Sequence, residues 1–117
     1  MAELLHITER VTWLEAAMTG EYRMSTRGVT LAEQGFIHCS LRHQLRPVAE
    51  FLYGDAAADD LVVLVIDSER VPAVVRYEAP EPGGEQYPHI YGVLPASSVT
   101  EVVAVRRDAA GRLVLPD

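Results

Sequence analysis

Apolar residues recur with helical spacing in two early segments of the chain. Residues 9–19 form the first segment, where Thr8 is placed to cap a helix and Gly20 to end it. The apolar positions that share one face of this helix are Val11, Leu14, Ala17 and Met18. We therefore predict a helix over residues 9–19 with this stripe against the core, and with Trp13 flanking it.

The second helical segment covers residues 41–52. Its apolar positions form a single stripe at Leu41, Leu45, Val48 and Leu52. Ser40 is well placed to cap this helix at its N-terminus. Pro47 lies inside the segment on the opposite face, and proline removes a backbone donor, so we expect a kink or a late start there.

The remaining apolar runs are strand-like, and most of them lie in the second half of the chain. The continuous β-branched run at residues 61–66 predicts a strand buried on both faces. Other strands are expected at residues 4–8, 36–39, 74–79, 87–93, 99–106 and 112–115. Helices early and strands late, without a βαβ repeat, indicate one α+β domain over residues 1–117 with a mainly antiparallel sheet.

Composition and net charge limit the classes of partner that we expect the protein to bind. The 117 residues carry a formal charge of −7, and 49% of them are hydrophobic. Nucleic acids and anionic membranes both need a basic surface, so neither is expected as a partner. A single cysteine, Cys39, excludes an internal disulfide, and no secretory signal or membrane-spanning run is recognisable. We expect a cytoplasmic monomer or homodimer that binds a small molecule.

Two histidine motifs carry the candidate chemistry. Residues 35–40 read GFIHCS and residues 87–92 read YPHIYG, so each histidine sits between apolar residues of a predicted strand. Alternate residues of a strand share a face, which pairs His38 with Ser40 and His89 with Tyr91. These two polar pairs, directed out of apolar strands, predict one shared pocket.

Other interpretations of the histidines remain open. Each strand histidine can serve only to hydrogen-bond its neighbours, and His43 is expected on the surface of the second helix. His6, His38 and His89, with Glu78 as a fourth ligand, are chemically suited to zinc or iron. However, the chain lacks the HxH and HExxH spacings of common metal sites, so we assign no metal.

Glu78 shares a strand face with Arg76 in the run of residues 74–78. The pair is either a surface ion pair or a carboxylate at the edge of the pocket. Just beyond it, Gly83 and Gly84 lie in a loop that is either a plain hairpin connection, which we favour, or a mobile flap over the pocket.

The segments GFIHCS and YPHIYGVLP, together with the His6 strand, the helix with Trp13 and the run Arg76-Tyr77-Glu78, are arranged as in a known family. In this order they resemble the bacterial domain-of-unknown-function family 952, over almost the whole chain. The resemblance implies a relation in fold to the ADP-ribosyltransferase-like superfamily, with two small, mainly antiparallel sheets and two principal helices. Members of that superfamily bind NAD in a cleft between the two sheets.

The resemblance also implies roles for individual residues. His6 matches a first-strand position that holds ribose or phosphate, and Glu78 or Glu101 would be the late carboxylate that orients the reacting ribose. The catalytic candidates are therefore Glu78, His38 and His89. The cofactor-binding candidates are His6, Thr8, Ser40, Tyr77 and Tyr91.

We expect a cleft for a nucleotide-like ligand, with NAD as the suspected cofactor and ADP-ribosyl transfer or NAD glycohydrolysis as the reaction. Two alternatives remain. One is a non-catalytic module that binds a small molecule on the same fold. The other is a metal-dependent enzyme built on the histidines.

Overall fold

The computed structural model describes residues 3–116, which form a mixed α/β architecture of small antiparallel sheets and short helices. The strands are β1 (Glu3–Glu9), β2 (Glu21–Tyr22), β3 (Met24–Thr26), β4 (Val29–Thr30), β5 (Ile37–His38), β6 (Leu61–Asp67), β7 (Val74–Glu78), β8 (Tyr87–Tyr91), β9 (Leu94–Pro95), β10 (Val99–Ala104), β11 (Arg106–Arg107) and β12 (Leu113–Val114). The α-helices are α1 (Arg10–Thr19), α2 (Leu31–Gln34) and α3 (Leu45–Tyr53). No helix within residues 3–116 has the length and apolar character needed to cross a bilayer.

The first three-stranded sheet has the order β1-β6-β10, with both neighbours antiparallel to β6. All six residues from Leu61 to Ile66 are buried, which confirms the prediction of a strand covered on both faces. Alternate residues of β6 belong to two separate hydrophobic clusters. Val62, Leu64 and Ile66 are in the first cluster, and Leu61, Val63 and Val65 are in the second. One cluster joins β6 to α1 and the second three-stranded sheet, and the other joins it to α3 and β12.

The second three-stranded sheet has the order β5-β8-β7, again antiparallel throughout. It meets the first sheet where Leu5 and Ser40 exchange two backbone hydrogen bonds of 2.8 Å. The expected capping role of Ser40 is therefore wrong. Ser40 pairs with β1 instead, and the side chain of Gln44 accepts a hydrogen bond from the Leu41 amide at the start of the next turn.

Helix α1 forms where expected, but it faces the core differently from the prediction. Val11, Leu14 and Met18 are exposed, whereas Ala16 is buried and Trp13 packs against the first cluster. Apolar residues occur on both sides of this helix. Spacing alone favoured the predicted stripe because it has more members than the side that carries Trp13 and Ala16. The cap was also wrongly assigned: Glu9 occupies the cap position without a side-chain hydrogen bond, because Thr8 stays in β1 opposite Val62.

Helix α3 starts late, as Pro47 predicted. A 3₁₀ turn over Arg42–Gln44 precedes it, and the helix then runs from Leu45, which leaves Pro47 in its first turn where a backbone donor is not needed. Leu45, Ala49 and Tyr53 form its buried face against the second cluster. The neighbouring face, with Val48 and Leu52, borders a cavity described below.

Two leucine-to-alanine substitutions test the corrected orientation of the helices. Leu45→Ala removes a side chain that is 1% exposed, so we expect a loss of about 2–5 kcal/mol in the free energy of unfolding. Leu14→Ala, at 54% exposure, should change it by no more than about 0.5 kcal/mol. Urea denaturation measures both, and a loss at Leu14 as large as that at Leu45 would contradict the orientation of α1.

Candidate functional site

A cavity of about 770 Å³ lies where β1, the second sheet and α3 meet. Residues from all these elements line it, so the two halves of the fold both contribute. Six of the eight sequence-predicted site residues are among the lining residues: His6, His38, Ser40, Glu78, His89 and Tyr91. Thr8 and Tyr77 are not. The structure thus brings both histidine motifs to one pocket.

His38 and His89 are direct neighbours in the second sheet. They face each other in the antiparallel register of β5 and β8, and their ring centroids lie 4.8 Å apart at an interplanar angle of 83°. Arg76 stands opposite His89 on β7, so the three side chains form a row across the sheet. His38 is half-buried, and burial followed by the nearby His89 lowers the pKa of its ring.

Glu78 anchors the other side of this row. Its Oε1 atom accepts hydrogen bonds from His89 Nδ1 at 2.9 Å and from the Tyr91 hydroxyl at 2.5 Å. The Tyr91 bond and then the His89 bond lower the pKa of the Glu78 carboxyl, and the carboxylate in turn raises the pKa of Tyr91. Glu78 is therefore an ionised group at the wall of the cavity.

This arrangement fixes the chemistry available at His89. Because the carboxylate only accepts, Nδ1 of His89 carries a proton, so Nε2 is the ring nitrogen that holds the lone pair when the ring is uncharged. A carboxylate that orients a histidine in this way is a common support for proton transfer. The cluster can thus supply a negative charge at Glu78 and a proton acceptor at His89.

His6 stabilises the backbone of the site at His38. Its Nδ1 donates to the backbone carbonyl of His38 at 2.5 Å, so its Nε2 accepts from the Tyr22 hydroxyl at 2.7 Å. The ring is 4% exposed, and burial lowers the pKa of His6 to about 4. Both ring nitrogens are occupied within the protein, so the contribution of His6 is to hold the backbone at His38.

Two of the sequence-predicted ligand contacts lie away from the cavity. The Thr8 hydroxyl is buried and lies 2.8 Å from the Tyr22 hydroxyl, as part of the chain of hydrogen bonds through His6. Tyr77 alternates with Arg76 and Glu78 along β7, so it lies on the opposite face of that strand. Cys39 is buried in the first cluster, where burial raises the pKa of its thiol.

Phe36 is the site residue that sequence reasoning missed. Its ring stacks on His89 with centroids 4.1 Å apart and an interplanar angle of 19°, and it meets His38 edge-on at 4.9 Å. It also lies 5.2 Å from the Tyr91 ring. Alternation along residues 36–40 places Phe36 on the same face as His38 and Ser40, and that signal was available in the sequence.

The residues weighed as metal ligands line the same cavity but are not arranged as a set of ligands around one metal ion. Within residues 3–116, no group of three or more His, Cys, Asp or Glu side chains is arranged to hold a metal ion. His6 uses both ring nitrogens in internal hydrogen bonds, and His89 uses Nδ1 for Glu78. A metal bound by His6, or by His89 through Nδ1, would have to break these contacts first.

The loop after Glu78 is a hairpin connection. β7 and β8 pair without interruption from Val74 opposite Tyr91 to Glu78 opposite Tyr87. Buried Gln44 ties the end of the loop to the start of α3, because its Nε2 donates to Glu85 at 2.8 Å and to the carbonyl of Gln86 at 2.7 Å. This supports the hairpin interpretation over that of a free flap.

Comparison with known proteins identifies a matching family and similar solved structures. The family model described as "Protein of unknown function (DUF952)" matches residues 7–102. The crystal structure of protein CC0527 from Caulobacter crescentus is similar, with 29% identity, a TM-score of 0.81, and coverage of 97% of this chain and 95% of that chain. The solution NMR structure of CC0527 gives a TM-score of 0.74, with coverage of 96% and 91%. No curated protein is significantly similar to the chain.

The low pKa of His6 makes the stability of the fold depend on pH. Folded His6 stays neutral down to a pKa of about 4, whereas the unfolded chain takes up this proton near pH 6.5. Stability should therefore fall as the pH drops from about 6.5 to 4, by about 3 kcal/mol from this residue. Urea denaturation across this range measures the loss. We expect a shallower slope in His6→Gln, and equal slopes in the two proteins would contradict the burial of a neutral ring.

Proposed function

Because the chain belongs to the DUF952 family, whose description assigns no function, we propose a function from the geometry of the site. The cleft binds a nucleotide-like ligand, with NAD as the first candidate. Its reaction is cleavage of the bond between nicotinamide and ribose, with transfer of ADP-ribose to an acceptor or to water. The observation that carries this proposal is the ionised Glu78 held by His89 and Tyr91 at the cavity wall.

The dimensions and the lining of the cavity support a small-molecule ligand. Ligand pockets typically enclose about 300–1,000 Å³ and combine apolar walls with a few converging polar groups. The cavity falls inside this range, and its polar groups converge on the second sheet. The other wall, formed by α3 and parts of β1, is largely apolar.

The electrostatics of Glu78 support cleavage of a glycosidic bond. When the bond between nicotinamide and ribose breaks, its electron pair leaves with the nicotinamide nitrogen and the ribose carbon becomes an oxocarbenium-like cation. In the ground state the positive charge lies on the nicotinamide ring, and bond cleavage moves it to the ribose. A preoriented carboxylate beside the ribose therefore stabilises the transition state more than the ground state. A water or acceptor hydroxyl then bonds to that carbon, and His89 Nε2 is available to take its proton.

The architecture is also compatible with an ADP-ribosyltransferase-like fold. That superfamily holds NAD between two small antiparallel sheets, and the cavity of this protein is lined by strands of both three-stranded sheets. His6 departs from the ligand contact implied for its position, because it supports His38 through the backbone. Glu101, the other candidate for the late carboxylate, lies on β10 and is not among the residues that line the cavity.

A non-catalytic binding module is the second candidate. The side chain of His89 is 7% exposed, and Phe36 covers one face of its ring. Both hydrogen bonds to Glu78 come from within the protein. Such internal satisfaction of polar groups favours a rigid binding surface, and turnover measurements separate the two candidates.

A ligand panel tests the proposed function. NAD or ADP-ribose at about 100 times its Kd should add about 2.7 kcal/mol to the stability, since it binds only the native state. We therefore expect a higher Tm with NAD and with ADP-ribose, and nicotinamide release from NAD by chromatography. A response to both nucleotides without release would favour the binding module. A response to zinc alone would contradict both candidates.

Two glutamate substitutions test which carboxylate takes part in the reaction. Glu78→Gln keeps the size of the side chain but removes its charge, so nicotinamide release should fall by about 100-fold or more, while the Kd for ADP-ribose changes little. Glu101→Gln, on the exposed face of β10, serves as the matched control and should release nicotinamide at the wild-type rate. Equal rates for the two variants would remove Glu78 from the chemistry.

A further inference from the structure

Helix α3 presents an apolar wall to the cavity, and the proposed chemistry gives this wall no role. Leu45, Ala49 and Tyr53 pack against the second cluster and hold the helix in place. The residues that this helix adds to the cavity lining are Pro47, Val48, Phe51 and Leu52. None of these side chains carries a hydrogen-bonding group, so the wall suits a ligand group with an apolar face.

Phe51 stands out on this wall. Its side chain is 88% exposed, so its aromatic ring contributes almost nothing to the packing of the fold. Met18 on α1 is equally exposed, but it is not among the residues that line the cavity. A large aromatic ring left open at the wall of a ligand-sized cavity provides a stacking surface for a planar group.

The two walls of the cavity differ in chemistry. The second sheet contributes Glu78, His89 and Tyr91, with charge and hydrogen-bonding atoms, whereas α3 contributes only apolar surface. A nucleotide has the same division, with a polar sugar and phosphate part joined to a flat base. If the reacting ribose is at Glu78, the base at the far end of the ligand is the part left for α3.

We propose that Phe51 is a specificity-determining residue that receives the adenine base of the ligand by stacking. This inference rests on the proposed function, because it takes the ligand to be a dinucleotide or ADP-ribose. Pro47 and Val48 extend the apolar surface beside the ring. The wall therefore selects ligands that carry a base over those that offer only a sugar phosphate.

Calorimetric titration with ADP-ribose and with ribose 5-phosphate tests this role. Phe51→Ala should weaken ADP-ribose binding roughly fivefold or more, the range expected for loss of one base stacked on an aromatic ring. It should leave ribose 5-phosphate binding unchanged, and Phe51→Trp should restore ADP-ribose affinity. Because Phe51 is 88% exposed, the Tm of the free variants should match that of the wild type.

Met18→Ala is the matched control, since it removes an equally exposed apolar side chain outside the cavity. It should bind both ligands as the wild type does. If the wild type binds ADP-ribose and Phe51→Ala binds it equally well, the role of Phe51 is overturned and the proposed function stands. If the wild type binds no ADP-ribose, the proposed function fails and the role of Phe51 fails with it.

Discussion

The antiparallel register between β5 and β8 is the constraint on which the site depends. Ile37 lies opposite Ile90, and both side chains are fully buried in the first cluster. Full burial of an isoleucine contributes about 1.5–3 kcal/mol, so this pair determines which face of each strand turns inward. His38 and His89 are the next pair along and must then share the opposite face. A slip of one residue would turn the histidines into the core.

The junction of the two sheets determines which part of the protein lies across the cavity from His38 and His89. The Leu5–Ser40 bridge attaches the second sheet to the edge of β1, and His6 adds a hydrogen bond from β1 to the carbonyl of His38. Beyond this junction, α3 covers the first sheet and leaves the cavity between itself and the second sheet. The polar wall and the apolar wall therefore come from different parts of the chain. Their separation is a consequence of the fold, and it suits a ligand with distinct polar and apolar ends.

Much of this arrangement followed from the sequence where the pattern of a strand was clear. The buried strand at Leu61–Asp67 was predicted from its continuous β-branched run. The common pocket of His38 and His89 was predicted from the polar pairs that the two-residue period of a strand directs to one face. Helix α1 was oriented wrongly because apolar residues lie on both of its sides, so spacing could not decide between Ala16 and the longer stripe. Phe51 was also missed, because the sequence does not show that one turn of α3 borders a cavity.

Assignments that depended on long-range partners were the least predictable. Thr8 and Ser40 were expected to cap helices because each comes just before a helical segment. In the structure Thr8 pairs with β6 and Ser40 pairs with β1 instead. The role of His6 changed for the same reason. Its partners, Tyr22 and the carbonyl of His38, lie 16 and 32 residues away in the chain, and only the folded structure brings them to its ring.

The contact between the His38 and His89 rings can be measured directly by nuclear Overhauser spectroscopy on the isotope-labelled protein. Centroids 4.8 Å apart predict cross-peaks between the ring protons of His38 and His89, together with cross-peaks from Phe36 to both rings. If assigned and resolved ring resonances gave no such cross-peaks, the register of β5 and β8 would be contradicted. The shared site would then have no structural basis.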